Sequence, residues 1–245
     1  MALKHDEVIS QITAWLRFQK QMGLEFLPNT DKVKIFLNDQ HDLAKNNMFD
    51  LSNVSNLEEL KEKVINCTGC NLAQQRHNVV FGEGPSNATL MVVGEAPGRE
   101  EDLTGRPFVG PSGELLTKML KAIDIDREEV FITSVVKCRP PKNRTPRAEE
   151  IKSCKPILKA QIELIKPKLI LALGTVAAHT LLKTQERITN LRNKLHHLDG
   201  IKVVVTYHPA YILRFGGIKQ KNLKKEAWED LLLLQKEYRK LAKTR

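Results

Sequence analysis

The sequence predicts an α/β fold: a three-layer α/β/α sandwich around a central, mostly parallel, four-stranded sheet, with an N-terminal helical extension. Short apolar runs of strand length alternate with longer segments whose apolar residues recur at helical spacing, which is typical of parallel sheets covered by helices. The chain has 245 residues, of which 41% are hydrophobic. That length and composition suit one α/β domain with a sizeable core and an extension.

The N-terminal stretch differs from the rest of the chain. Residues 7–22 carry apolar side chains at helical spacing and predict an amphipathic helix, whereas residues 29–55 are polar and predict a linker with limited structure. We therefore divide the chain into an extension, residues 1–55, and an α/β domain, residues 56–245. The extension has three possible roles, namely docking on the domain, binding a partner, or neither. Docking is favoured because an amphipathic helix usually buries its apolar stripe.

The α/β domain is expected to alternate strands and helices along its length. The predicted strands are residues 88–93, 130–136, 168–173 and 203–206. The predicted helices are residues 57–65, 113–123, 149–165, 175–182 and 219–243. Ligands of open α/β sheets bind at the carboxyl ends of the strands. Polar loops rich in glycine, proline and charge follow the first, second and fourth strands, so these loops are expected to meet at one site.

The chain is strongly basic, with a formal net charge of +10 and a pI of about 9.4. This charge favours a polyanionic partner, either a nucleic acid or a membrane surface. No apolar run reaches the length of a membrane span, and the first nine residues lack the apolar core of a signal peptide. We therefore expect a soluble, cytoplasmic protein with no membrane association.

Four cysteines suggest a metal site. Cys67 and Cys70 form a Cys-x-x-Cys pair, and Cys138 and Cys154 follow in distant parts of the chain. Structural disulfides are rare in a reducing compartment. A pair from one turn and two further thiolates instead predict a four-cysteine site for zinc or for an iron–sulfur cluster. The spacing does not decide between the two.

The most informative stretch is residues 90–116, where an apolar run leads into a loop of glycines, prolines and carboxylates. Further motifs follow it. In chain order the motifs are Gly-Glu-Ala-Pro-Gly (94–98), Thr-Gly-Arg-Pro-Phe-Val-Gly (104–110), Val-Val-Lys-Cys-Arg-Pro-Pro (135–141), Asn-Arg-Thr-Pro (143–146) and Tyr-His-Pro-Ala-Tyr (207–211). Together they resemble the motifs of the family 4 (iron–sulfur) uracil-DNA glycosylases, in the same order and with similar spacing, over residues 60–235.

This resemblance implies a DNA-repair activity and a cofactor. Such an enzyme extrudes uracil from single- or double-stranded DNA and hydrolyses its N-glycosidic bond, which leaves an abasic site. The resemblance also decides between the two metal sites, because family members carry a [4Fe-4S] cluster on four matching cysteines. Here those are Cys67, Cys70, Cys138 and Cys154. The implied partner is uracil-containing DNA, and the protein is expected to be a monomer.

The resemblance also implies catalytic roles. Phe108 matches the residue that stacks on the extruded base, and His208 donates a hydrogen bond to the uracil oxygen where negative charge develops. Glu95 is the first choice for positioning water near the sugar. Glu101 and Asp102 match the family pattern as well and are further candidates for that role.

Two positions in the base pocket bear on specificity. Ala96 stands where some other glycosylase families carry a catalytic aspartate, which excludes strong-base chemistry at that position. Ser134 stands where the family usually has an asparagine that reads the uracil edge, and a hydroxyl cannot reproduce a bidentate amide contact. The alternative function is therefore a catalytically weak or altered-specificity iron–sulfur protein that binds DNA.

Residues near the motifs are candidates for contacts with DNA. Tyr211, Ile212 and Leu213 are suited to fill the space that the extruded base leaves. The candidates for phosphate contacts are Arg139, Lys142, Arg144 and Arg214. Two further alternatives rank lower. One is a relative that is trapped covalently on DNA through a loop histidine, which residues 139–153 lack. The other is a zinc-stabilised α/β protein that binds RNA.

Overall fold

The computed structural model describes Leu51 and residues 53–242. The helix predicted at residues 7–22 and nearly all of the linker lie outside the described residues. The strands are β1 (Leu90–Gly94), β2 (Phe131–Ser134), β3 (Leu169–Leu173), β4 (Leu195–Leu198) and β5 (Ile201–Thr206). The α-helices are α1 (Leu57–Ile65), α2 (Arg99–Thr104), α3 (Pro111–Lys121), α4 (Ala148–Ile165), α5 (Gly174–Leu182), α6 (Ile188–Leu191), α7 (Pro209–Leu213) and α8 (Gly217–Ala242). Short 3₁₀ helices cover Asn71–Gln74, Arg127–Glu129 and Pro141–Asn143.

The strands form one sheet in the order β2-β1-β3-β5-β4. The β1–β2, β1–β3 and β3–β5 pairs are parallel, so the four predicted strands make a continuous parallel sheet. The strand order reverses between β1 and β3, because β2 lies on one side of β1 and the later strands on the other. Such a switch point opens a crevice at the carboxyl ends of the strands, and ligands of this fold class bind there.

The predicted α/β/α sandwich is confirmed, and its sheet has one strand more than the four that were predicted. β4 pairs with β5 in antiparallel orientation at the sheet edge. Its sequence, Leu-His-His-Leu, lacks the apolar run or strict alternation by which a strand is recognised. The signal that was missed is Asp199-Gly200, both with positive φ, because Asp-Gly favours the tight turn of a β-hairpin.

Each face of the sheet has its own core, because successive strand side chains point to opposite faces. On one face, Met91 and Val93 of β1 pack in a cluster with side chains of α1, α4 and α5. On the other face, Leu90 and Val92 pack in a cluster with side chains of α3 and α8. The parallel strands are buried along almost their whole length, as this three-layer arrangement requires.

The strand ends lie level with one another and so define the site edge. Gly94 pairs with Ser134 at the ends of β1 and β2, and Leu173 pairs with Thr206 at the ends of β3 and β5. β2 ends at Ser134, two residues earlier than predicted, although the amide of Val135 still donates to the Gly94 carbonyl. None of the helices within the described part of the chain is long and apolar enough to cross a membrane.

Candidate active site

A cavity of about 1090 Å³ lies at the carboxyl ends of the parallel strands. The loops after β1, β2 and β5 line it, as predicted, and so does the start of α5, which follows β3 directly. The predicted site residues that line it are Glu95, Ala96, Glu101, Phe108, Ser134, Arg144, His208, Tyr211 and Arg214. Arg139, Lys142 and Leu213 do not line it.

Phe108 forms an aromatic wall of this cavity and is held in an unusual conformation. Its φ is +50°, a left-handed value that costs energy in a residue with a side chain, and only 5% of the residue is exposed. Two glycines make this possible. A Cβ on Gly94 would lie 2.5 Å from Phe108 Cζ, and one on Gly113 would lie 1.8 Å from the Phe108 carbonyl oxygen.

His208 lies beside Phe108, at the N-cap of α7. Its Nδ1 accepts a hydrogen bond of 3.1 Å from the Ala210 amide. Burial, reinforced by the positive charge of Arg214, lowers the pKa of His208 to about 4. The imidazole is therefore neutral near pH 7. Because Nδ1 acts as acceptor, the ring proton resides on Nε2, which makes Nε2 a hydrogen-bond donor.

Glu95 follows β1 and is partly buried at the cavity wall. Burial raises the pKa of its carboxyl group, and a hydrogen bond with the Thr145 side chain and the charge of Arg214 oppose that shift. Thr145 also lines the cavity and was missed by the sequence analysis, although it belongs to the Asn-Arg-Thr-Pro motif. Glu95 thus combines a raised pKa with access to the cavity, which is typical of a catalytic carboxylate.

The other two candidate carboxylates are occupied by structural contacts. Glu101 Oε1 accepts hydrogen bonds from the amides of Val109 and Gly110, both at 2.9 Å, and its Oε2 accepts one from the Gly98 amide. Asp102 is only 1% exposed and bonds the His77 amide and ring outside the cavity lining. The prediction that Asp102 shares the water-positioning role is therefore wrong. Glu101 instead fixes the loop that carries Phe108.

Ser134 lies deep in the cavity, at the end of β2. Only 4% of the residue is exposed, and its Oγ would lie 3.3 Å from a Cβ built on Gly94, next to the Phe108 ring. Within the described residues, no hydrogen bond engages this hydroxyl. It is therefore free to contact a group that binds in the cavity.

The basic side chains that were predicted to contact DNA differ in their partners. Arg144 makes a two-point ion pair with Glu150, at 2.8 and 2.6 Å, and Arg139 Nε donates to Asn143 at 2.7 Å. Lys142 is exposed and has a positive φ of 56°. Arg214 has no ion-pair partner among residues 53–242. Of these side chains, Arg144 is the one whose charge is already paired within the protein.

Exposed apolar side chains lie on α7, at the mouth of the cavity. Tyr211 is 38% exposed and Leu213 is 40% exposed, both on α7, which begins directly after His208. Ile212 between them is only 1% exposed, so the prediction that it also fills the gap is wrong. The Tyr211 ring contacts Phe215 edge to face at 5.2 Å. Apolar groups held in this way at the mouth of a cavity are suited to fill a gap in a base stack.

A buried ionic network anchors the strand that leads to His208. Tyr207 donates to Glu226 of α8 at 2.7 Å, and Thr206 donates to Asp230 of the same helix at 2.7 Å. Arg192 pairs with Asp230 at 3.1 Å and lies over the Tyr207 ring. Burial, together with the hydrogen bond to Glu226, raises the pKa of Tyr207 to about 12. α8 therefore fixes the two residues that precede the histidine.

A second, smaller cavity is lined by all four cysteines. None of the four is in a disulfide. Three sulfurs receive hydrogen bonds, namely Cys67 from the Gly69 amide, Cys138 from the Arg76 guanidinium and Cys154 from the Lys137 amide. Burial raises the pKa of Cys138 to about 11 and that of Cys154 to about 12. Within the described residues, no group of three or more His, Cys, Asp and Glu side chains is arranged to hold a metal ion.

Comparison with known proteins decides the family. The Uracil DNA glycosylase superfamily matches residues 81–232, which include the strands and loops that form the first cavity. The chain belongs to this superfamily.

Curated relatives of the uracil DNA glycosylase superfamily agree with this placement. The chain is 49% identical to the Type-4 uracil-DNA glycosylase of Thermotoga maritima over 160 residues, covering 64% of this chain and 83% of the relative. It is 45% identical to that of Pyrobaculum aerophilum, covering 66% of this chain and 87% of the relative. The Type-5 enzyme of Pyrobaculum aerophilum is 36% identical, with 52% and 63% covered. The resemblance inferred from the motifs is confirmed.

Proposed function

We propose that this protein is a DNA base-excision repair glycosylase that hydrolyses the N-glycosidic bond of uracil in DNA. The Type-4 relatives support the assignment. The observation that carries it is the pairing, in one cavity, of an aromatic wall with a neutral histidine whose Nε2 is a donor. The alternative of a catalytically weak binding protein is not favoured, because Glu95, Phe108 and His208 all line that cavity.

The reaction has to break the bond between C1′ of deoxyribose and N1 of uracil. The electron pair of that bond leaves with the base, water adds to C1′, and the proton of the water passes to an acceptor. The base must first leave the helical stack to enter the cavity. We assign Phe108 to stacking on the extruded ring, which is worth about 1–3 kcal/mol. Ser134 and the backbone at Ala96 complete the pocket around the base.

His208 would stabilise the departing base. Negative charge develops on a uracil oxygen as the bond breaks, and a donor fixed at that point lowers the barrier. A neutral imidazole is suited to this role because its Nε2–H can donate a hydrogen bond to the oxygen near pH 7, and the ring need not be protonated to do so. The Ala210 amide fixes the ring orientation, which reduces reorganisation during the reaction.

Glu95 would position water and oppose the positive charge that builds on the sugar. It is the best candidate because Glu101 is bonded to three amides and Asp102 lies outside the cavity lining. Its raised pKa also makes it a better proton acceptor than an ordinary carboxylate.

We propose DNA contacts at the mouth of the cavity. Tyr211 and Leu213 would fill the vacated stack. The basic residues that would contact phosphates, on single- or double-stranded DNA, are Arg139, Lys142 and Arg214, whereas Arg144 is held in its ion pair with Glu150. The protein would act as an intracellular monomer. Its chain would consist of an extension (1–55) and a catalytic domain (56–245).

The second cavity suits a [4Fe-4S] cluster. Four cysteines line it, and amide or guanidinium donors already point at three of the sulfurs, as is common around iron–sulfur clusters. Cys67, Cys70, Cys138 and Cys154 would hold the cluster. When bound, it would cross-link α4 to the loops after α1 and β2, and so hold the 139–147 segment in place.

Replacement of Cys138 by alanine should then lower stability and DNA affinity together. Loss of catalysis alone would contradict this structural role.

The test of the function is uracil release from labelled oligonucleotides, one single-stranded and one duplex with a U·G mismatch. The wild type should leave alkali-labile abasic sites in both. His208→Gln should be strongly impaired, whereas His197→Gln, which changes an exposed histidine of β4, should match the wild type. Binding without cleavage by the purified wild type would overturn the assignment.

A further inference from the structure

Lys137 is a buried lysine whose ammonium group has no carboxylate partner among the residues that the structure describes. Only 1% of the residue is exposed. Its Nζ donates to Thr133 Oγ1 at 2.6 Å, to the Ser134 carbonyl at 2.6 Å and to Gln161 Oε1 at 2.7 Å. All three acceptors are neutral. Taking a charged group out of water is costly, so buried charges are normally paired or bound to metals.

The candidates for the missing negative charge are Cys154 and Cys138, which both interact electrostatically with the Lys137 ammonium. The Lys137 amide donates to Cys154 Sγ at 3.3 Å, and Cys138 is the next residue in the chain. Lys137 lines the same cavity as the four cysteines. Arg76, the other cation in that lining, is only partly buried and donates to Cys138 Sγ. Lys137 is therefore the buried cation in the lining of the cysteine cavity.

The same side chain reaches the wall of the base pocket. Ser134, whose carbonyl accepts from Lys137 Nζ, lines the first cavity, and Gln161 lies on α4, the helix that carries Cys154. The network is closed by Gln161 and Thr133, which both donate to the Phe81 carbonyl. Lys137 thus connects the two cavities through direct hydrogen bonds.

We propose that Lys137 is the internal counter-cation of the four-cysteine cluster and the positioning residue that ties this cluster to the strand end at Ser134. The inference rests on the cluster of the proposed function. Four thiolates give an iron–sulfur cluster net negative charge, and nearby charge and hydrogen bonds set its reduction potential. A positive charge held next to the cluster stabilises its reduced, more negative state, and so raises the potential.

The test measures the midpoint reduction potential of the cluster in purified holoprotein, together with iron content and visible absorbance. Lys137→Met removes the charge and the hydrogen bonds, whereas Lys137→Gln removes the charge and keeps a donor. Both should shift the potential to more negative values. Two controls should keep the wild-type potential. Thr133→Val removes one acceptor and keeps the ammonium, and Lys155→Met removes an exposed lysine next to Cys154.

Unchanged potentials in both Lys137 variants, with the cluster intact, would overturn the inference and leave the proposed cluster standing. A shift in Lys137→Met alone would also overturn it, because the hydrogen bonds rather than the charge would then be responsible. If both variants lose iron, retention of the cluster in Thr133→Val supports the counter-cation role, and loss there contradicts it. Wild-type protein without iron or visible absorbance would refute the cluster itself, independently of Lys137.

Discussion

The rings of Phe108 and His208 are stacked, with centroids 5.7 Å apart and an angle of 29° between their planes. The two residues come from different parts of the chain, one from the loop before α3 and the other from the N-cap of α7. Their contact places the aromatic wall of the cavity beside the imidazole whose Nε2 is a donor. The binding and the activation of the base are therefore expected to depend on the same local packing.

Replacing Gly94 with alanine should impair catalysis without touching a catalytic group. The new Cβ would lie 2.5 Å from Phe108 Cζ, so the ring must move. Since base stacking is worth about 1–3 kcal/mol, we expect kcat/KM for uracil release to fall by about tenfold or more. Gly216→Ala is the matched control, because nothing lies within 4 Å of that position. Equal activity of the two variants would contradict this role of Gly94.

Activity should decline on the acid side as Glu95 takes up a proton. Burial raises the pKa of this carboxyl, so the loss should begin at a higher pH than for an ordinary carboxylate. His208, with its pKa lowered to about 4, stays neutral through that range and does not cause the decline. The measurement is kcat/KM against pH on a single-stranded substrate. The decline of kcat/KM at low pH should be absent in Glu95→Gln and present in Glu114→Gln. A decline in both variants would show that another group causes it.

Replacing Glu101 with glutamine should destabilise the loop that carries Phe108. The carboxylate accepts from three backbone amides, and an amide side chain has only one oxygen with which to do so. We expect the free energy of unfolding in urea to fall by about 1–3 kcal/mol. Glu100→Gln, at the exposed neighbouring position, should have little effect. A stable Glu101→Gln protein with reduced activity would instead indicate a direct catalytic role for Glu101.

Arg214 and Arg144 should respond differently to neutralisation. Arg214 is free to contact a phosphate, so Arg214→Gln should weaken DNA binding and reduce the slope of log affinity against log salt by about 1. Arg144→Gln would leave the buried Glu150 carboxylate without its ion pair and should mainly lower stability. Titrations at several salt concentrations, together with urea unfolding, separate the two effects. A change of salt slope in Arg144→Gln alone would reverse the assignment.

Ser134 should contribute to base recognition through its hydroxyl. Removing that group in Ser134→Ala should lower kcat/KM by about 2- to 10-fold, the usual worth of a neutral hydrogen bond. Ser134→Asn introduces an amide that can both donate to and accept from the uracil edge, so uracil release should be faster. Single-turnover rates on the same oligonucleotide measure both. Rates equal to the wild type in both variants would exclude contact between Ser134 and the base.

Much of the fold followed from short-range patterns. The apolar runs identified the four parallel strands, because those strands are buried on both faces and carry little else. β4 was missed because its two adjacent histidines interrupt the apolar pattern of a strand, and only the Asp199-Gly200 turn indicated it. The segment after Ser134 was predicted as strand because Val135 and Val136 are β-branched. The amides of these two residues instead donate to the carbonyls of Gly94, the last residue of β1, and of Glu95, the residue after it.

The site was predicted less completely than the fold, because partners distant in sequence decide the role of a charged side chain. Nothing near Glu101 in the sequence indicates that three backbone amides converge on it. Likewise, Arg144 resembles a phosphate contact until its ion pair with Glu150 is known. Thr145 bonds Glu95 across 50 positions of sequence, so its role became clear only in three dimensions.

The ionic network between β5 and α8 has a consequence for the order of synthesis. A ribosome makes all five described strands, and His208, before it makes Glu226 and Asp230. Until α8 emerges and packs, Tyr207 and Thr206 lack the partners that hold them. All motifs of the site are therefore present in the nascent chain before the site can take up its final geometry. A growing chain is thus expected to acquire its uracil-excising activity late, when folding joins the helix to the sheet.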